Sequence, residues 1–219
     1  MKSRGRAGPY LVILLILLGL TLAGALVAGT PVVMHLNRTV AGSLRPLALR
    51  WGWLNLVWIL GGLPVTLAVL VVSLIRVPRL RRRALPVMGA ALLGSIIEVG
   101  LKHFVALPLP PEVPAPPFWN TLAAALNFGP SNLTPILHWL FPHARHASGH
   151  HLFPGSYPSG HVFRTTFVAG VLLPRRVKWA ALTVAAVTAF MTVATGGHWI
   201  WDTLGGGLLA FAMIGIAAT

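Results

Sequence analysis

Long apolar runs separated by short basic punctuation dominate the chain. Tyr10 to Ala28 holds no charged side chain, and about 20 such residues are what a helix needs to cross the hydrocarbon of a bilayer. Trp51 to Ile75 is a second run, with Gly61-Gly62 and Pro64 inside it to kink a helix. Ala84 to Ala106 is a third, with Glu98 and Lys102 near its end. Ser159 to Leu173 is shorter and stops at Pro174, Val177 to Gly196 follows, and Trp199 to Thr219 is the last. In lipid a backbone must satisfy its own hydrogen bonds, so runs of this length are helices. The pattern predicts an all-α, polytopic membrane protein: six transmembrane helices in a single unit spanning 1–219, with a long extracytoplasmic loop between helices 3 and 4.

Composition removes the rivals. Of 219 residues, 56% are hydrophobic and 9% are charged, against about 25% charged in soluble domains. Disorder needs the opposite balance, and a chain with no Cys cannot be a disulfide scaffold. The net charge of +14 raises the question of nucleic acid. No basic face interleaved with aromatics is present to bind it, so the charge reads as topology, because Lys and Arg collect in cytoplasmic loops. Lys2, Arg4 and Arg6, the cluster from Arg76 to Arg83, and Arg175, Arg176 and Lys178 fall on one side of the six spans. They outnumber Arg38, Arg45, Arg50, Lys102 and Arg145 on the other. Both termini are therefore expected in the cytoplasm of a cell-membrane protein, and residues 107–157 outside. The basic start resembles a signal peptide, but the apolar run after it exceeds the usual ~7–15 residues; a retained anchor is expected.

Ionisable groups inside spans are costly and mark function. Glu98 and Lys102 end the third span, His161 and Arg164 begin the fourth, and His198 and Asp202 begin the last. The topology puts all six near the outer surface. Asp202, the single Asp of the chain, stands four residues after His198, so one helix face can carry both. A carboxylate on one imidazole nitrogen fixes the tautomer and raises the basicity of the other, as a nucleophilic His needs; a structural His–Asp pair has the same spacing. Tyr157-Pro158-Ser159-Gly160-His161 leads into a helix whose first N–H groups favour an anion, with His161 able to protonate a departing oxygen. A Ser-capped helix with a buried His is the bland alternative. Lys102 is either an interfacial anchor or a phosphate-holding point charge. Glu98 is taken as structural, neutralising Lys102. The loop histidines His143, His146, His150 and His151 are read as solvated, because the ligand set for a metal is incomplete.

Lys102 followed by Pro110, then Pro158-Ser159-Gly160-His161, then His198-Trp-Ile-Trp-Asp202 with Leu204-Gly205-Gly206 behind it, resembles the type 2 phosphatidic acid phosphatase superfamily, which includes membrane lipid phosphatases and vanadium haloperoxidases. The resemblance covers residues 84–219. It implies a six-helix core and phosphoester hydrolysis with no metal or other cofactor. His198 would attack phosphorus and become phospho-histidine, Asp202 would orient it, and His161 would protonate the leaving oxygen. Lys102, Ser159 and the Gly160 amide would hold the phosphoryl oxygens. Two departures stand out. Leu109, and Leu107 before it, occupy positions where members carry Arg, and Met191-Thr192 stands where the third motif opens Ser-Arg. Arg164, one turn past His161, is the expected replacement, with Arg145 a second candidate; an Arg164 that only snorkels to the outer headgroups or pairs with Glu98 is the bland alternative. The expected substrate is a phosphorylated lipid: a polyprenyl diphosphate such as undecaprenyl diphosphate, phosphatidate or phosphatidylglycerol phosphate. A lipid phosphotransferase, or a non-catalytic relative that binds or moves such a lipid, would use the same residues.

Overall fold

The computed structural model describes residues 7–105, 107–111, 153–174 and 178–218. These fold entirely as helices and connections, with no strand among the described residues. Most of the connection between the third and fourth spans lies outside them: the Pro-rich stretch beyond Pro111 as far as Pro117, residues 118–141, whose sequence reads as one or two short interfacial helices, the loop histidines and Arg145.

Helix α1 (Ala7–Val27) is apolar throughout and shows Leu11, Leu15 and Leu26 on its outer surface. It stops at Ala28-Gly29-Thr30, and Pro31 opens α2 (Pro31–Arg50) after a bend of 93°. Proline suits this place because its missing N–H would be unpaired in a first turn anyway. Hydropathy assigns no span to residues 31–50, and the structure shows why a helix is there regardless. Asn37 and Ala48 face inward, while Arg38, Arg45 and Arg50 lie on the exposed side.

The second apolar run is broken rather than merely kinked. A 3₁₀ turn (Gly52–Asn55) and α3 (Leu56–Leu60) meet α4 (Leu63–Arg76) at 56° across Gly61-Gly62. The short α5 (Pro78–Arg81) leads into α6 (Ala84–Phe104). Then come α7 (Gly160–Leu172), α8 (Lys178–Ala194) and α9 (Ile200–Ala218). By length and apolar character, α6 and α9 can each cross a membrane alone, and the two bent pairs raise the number to four. The expected six would also need α7 and α8, whose 13 and 17 residues reach about 20 and 26 Å against about 30 Å of hydrocarbon.

Helix α9 is the centre, packed on α1, α6 and α7. The core between them is built from Phe163 and Phe167 of α7, Val87 and Ala90 of α6, and Leu209 and Met213 of α9. Small residues permit the close approach that lipid-embedded helices rely on. Gly94 faces the Phe163 ring, and Gly206 faces the carbonyl of Ser159, with no room for a Cβ at either. The start of α7 is thereby pressed onto the first turns of α9.

Candidate active site

Two helix starts meet at this junction. The Ser159 N–H donates to the carbonyl of Asp202 at 2.9 Å, and the Ser159 hydroxyl caps α7 by accepting from the Val162 N–H at 3.4 Å. Tyr157, wholly buried, wedges between Gly24 of α1 and Gly205 of α9, and its hydroxyl donates to the Thr21 carbonyl at 2.7 Å. Burial, and then the Asp202 charge, push the Tyr157 phenol well above its ordinary value, so it stays a donor. The tetrad Pro158-Ser159-Gly160-His161 is thus pinned from both sides.

His198 sits in the turn between α8 and α9. Its N–H and that of Gly197 donate to the carbonyl of Thr192 at 3.3 and 2.9 Å. Its Nδ1 lies 3.4 Å from Oδ2 of Asp202, and the same oxygen accepts the Trp199 N–H at 2.9 Å. One carboxylate therefore caps α9 and orients the imidazole, leaving Nε2 with the lone pair. Oδ1 of Asp202 is buried and has no hydrogen-bond partner among the described residues. Burial pushes the His198 imidazole below its ordinary value. Asp202 opposes this by its hydrogen bond and its charge, Lys102 reinforces it and Glu98 opposes it. A base held this way is neutral at neutral pH.

His161 stands across from His198, with ring centroids 6.1 Å apart. On its other side the Trp58 ring meets it edge-on at 4.9 Å, and Gly61 is so close that a Cβ there would come within 2.6 Å of the ring. Trp58 itself rests on Gly197, the residue before His198. The broken span α3–α4 thus forms a wall of the site. Trp58 and Gly61 carry no motif. The pointer available in the sequence is the interruption Gly61-Gly62 in an otherwise apolar span, since breaks in spanning helices tend to line sites.

The cations form a chain. Glu98, nearly inaccessible, binds Nζ of Lys102 at 2.9 Å and Nη1 of Arg164 at 3.1 Å. Arg164 also donates from Nε to the Gly61 carbonyl at 3.0 Å. Lys102 lies 4.7 Å above the Phe153 ring. Glu98 therefore does more than neutralise Lys102, because it ties two helices' cations together. Its Oε1 also faces Gly160, where a side chain would collide with it. All seven candidate residues, Lys102, Ser159, Gly160, His161, Arg164, His198 and Asp202, are drawn to this one region. Below it, an apolar groove of about 290 Å³ runs between α4, α6 and α7, with Arg164 at its edge and Leu67, Leu92 and Phe167 among its walls.

The positions that depart from the motif have other work. Leu107 is buried among Tyr157, Trp199 and Ala28. Thr192 is buried, and its hydroxyl donates back to the carbonyls of Thr188 and Ala189 at 2.9 and 3.0 Å. The segment after α6 is held to the His198 turn by the Trp199 indole N–H, which donates to the Pro108 carbonyl at 2.6 Å. Among the described residues, no group of three or more His, Asp or Glu side chains is placed to hold a metal ion.

No curated protein sequence matches the chain. A crystal structure of a transmembrane PAP2-type phosphatidylglycerolphosphate phosphatase from Bacillus subtilis is similar in fold, with a TM-score of 0.59 at 17% identity over 94% of each chain. The sequence profile of the PAP2 superfamily matches residues 45–216, a stretch that holds every motif residue of the site. With the motifs in order and their side chains gathered at one place, the chain belongs to the PAP2 superfamily.

Proposed function

We propose that the protein is a membrane lipid phosphatase with its site at the extracytoplasmic face, working through a phospho-histidine. The observation that carries this reading is His198, buried on Asp202 and facing His161 across 6.1 Å beside a capped helix start. The Nε2 lone pair attacks the terminal phosphorus, its bond to the leaving oxygen (the lipid's own in a monoester, the bridging one in a diphosphate) breaks, and that oxygen takes the proton of His161. Asp202 stabilises the charge that develops on the His198 ring. Water then attacks the phospho-histidine and gives its proton to His161, the P–N bond breaks to return the lone pair to Nε2 of His198, and orthophosphate leaves. Lys102, Arg164, Ser159 and the first-turn N–H groups of α7 hold the phosphoryl oxygens, where charge stabilisation matters most.

Asp202 is engaged by His198 and the Trp199 N–H, and Glu98 by two cations. With three acidic residues in the chain, the several carboxylates of a two-metal site are not to hand, which supports metal-independent turnover. The groove beside Arg164 supports a substrate with an apolar tail. Polyprenyl diphosphates, phosphatidate and phosphatidylglycerol phosphate all meet these terms.

The test is phosphate release from a panel of lipid phosphates by the purified protein with a chelator present. Release is expected, with inhibition by vanadate and a phosphate label on His198 that is lost in His198→Ala. Activity that disappears with the chelator and returns with a divalent ion would overturn the metal-free reading. Phosphate passing to a second lipid rather than to water would identify a phosphotransferase. Binding with no turnover of any lipid would identify a carrier.

A further inference from the structure

Among the described residues, Glu98 is the one acidic group of the site that the reaction above does not use. It is also the group that the two phosphate-holding cations touch. Lys102 reaches it at 2.9 Å from the same helix, and Arg164 reaches it at 3.1 and 3.4 Å from α7, making contact with both oxygens. Glu98 is 2% exposed, its side chain pressed against the Gly160 backbone at the start of the same helix. A buried carboxylate paired with two cations is ionised, because the charged form is the one they hold. It lies within electrostatic reach of His198 as well. A phosphoryl group held by Lys102, Arg164 and Gly160 would therefore find another oxyanion already on the same partners.

We propose that Glu98 is a positioning residue that acts as an internal competitor for the phosphoryl group. Its carboxylate aligns Lys102 and Arg164, shares them with the incoming phosphoryl oxygens, and takes them back as orthophosphate departs. This rests on the reading that Lys102 and Arg164 hold the phosphoryl group. The physical consequence is specific. An anion beside the binding site weakens every other anion there, and weakens a dianion more than a monoanion. Glu98 would thus limit the affinity for orthophosphate and speed its release. A site with Lys102 and Arg164 alone would retain its product.

The sign of one measurement separates this from a purely structural ion pair. Orthophosphate and vanadate inhibition would be measured on purified wild type, Glu98→Gln and Glu98→Asp, together with KM and kcat on one lipid phosphate. The amide of Gln keeps the shape and one acceptor but removes the charge. The proposal expects the orthophosphate inhibition constant of Glu98→Gln to fall about tenfold or more, with KM and kcat falling together. Glu98→Asp draws the carboxylate back by one methylene and is expected between the two. That intermediate value carries the test if Glu98→Gln does not fold. A structural pair predicts the reverse: with the cations misaligned, inhibition weakens in both variants and KM rises. Weakened or unchanged inhibition in both would overturn the proposal while leaving the phosphatase reading intact. A wild type that neither turns over lipid phosphates nor is inhibited by these anions would overturn both.

Discussion

A single carboxylate, Asp202, is asked to do two things, and the two can be separated by substitution. Its Oδ2 receives the Trp199 N–H at 2.9 Å and faces His198 Nδ1 at 3.4 Å. Asp202→Asn keeps an oxygen for the cap but removes the charge that supports the His198 ring. Turnover is expected to fall by about 100-fold or more, because the loss is felt as charge develops on the ring. The pH profile carries a second signature. Burial holds His198 below its ordinary value while Asp202 raises it. Activity needs the neutral ring, so it is lost on the acid side as pH falls through the His198 value. Removing the carboxylate lowers that value further, and the acid limb of kcat/KM should move to lower pH in Asp202→Asn. A limb that moves up, or stays put, would show that His198 is not the group being titrated. Arg164 is testable in the same way. Its Ala variant should lose about 100-fold in turnover if the guanidinium meets the transition state, and Arg164→Lys should recover part of it, since Lys lacks the planar fork. Near-normal turnover in folded Arg164→Ala would confine the residue to its ties with Glu98 and Gly61.

At the scale of elements, the site depends on a helix that breaks. If α3 and α4 ran straight through Gly61-Gly62, the Gly61 carbonyl would be spent inside the helix instead of accepting from Arg164. Gly61 also has to be small, since a Cβ there would come within 2.6 Å of Cδ2 and 2.9 Å of Cβ of His161. Gly61→Val is therefore expected to displace His161 and slow turnover, most strongly for substrates with poor leaving groups, which need the acid most. Gly89→Ala in α6 is the control. Apart from its own helix turn, no described residue comes within 4 Å of its added methyl, and helix propensity favours Ala by up to about 1 kcal/mol, so activity should hold and thermal stability should not fall. Equal losses in both would point to a general intolerance of glycine substitution. These elements also show what a sequence does and does not disclose. His198 and Asp202 lie four residues apart, so the sequence pairs them as one helix face, although the structure sets His198 in the turn before α9 and brings it to Asp202 from there. Arg164 and Gly61 are 103 residues apart, and no local pattern announces that contact. The break at Gly61-Gly62 is legible as two glycines before a proline, but its purpose is not. Helix α2 escapes a hydropathy reading because Asn37, Arg38, Arg45 and Pro46 dilute its apolar content, although its buried residues fall on one face.

For the molecule as a whole, orientation in the bilayer decides which lipids can reach the site. The apolar runs predict α1, α6 and α9 well, because a long uncharged segment has few alternatives. They do not determine which side is out; that rests on the distribution of Lys and Arg. The cluster at Arg79, Arg81, Arg82 and Arg83 surrounds α5, and Arg79 and Arg83 donate to the carbonyls of Leu172 and Ala218, at the ends of α7 and α9. Lys102, His161, His198 and Asp202 lie at the other ends of α6, α7 and α9. The molecule therefore has a basic pole and a pole that carries the candidate site, and the positive-inside rule predicts a cytoplasmic place for the basic one. The chain has no Cys, so single-cysteine variants read this out without background. Ser148→Cys, in the segment joining α6 to α7, should react in intact cells with a maleimide that cannot cross the membrane. Arg82→Cys should react with it after permeabilisation alone. The reverse pattern would place the site on the cytoplasmic face, and with it exclude lipids presented to the outer leaflet. The proposed hydrolysis of lipid phosphates by the purified protein would be unaffected by that outcome, because the role proposed for His198 depends on local geometry and not on the side it faces.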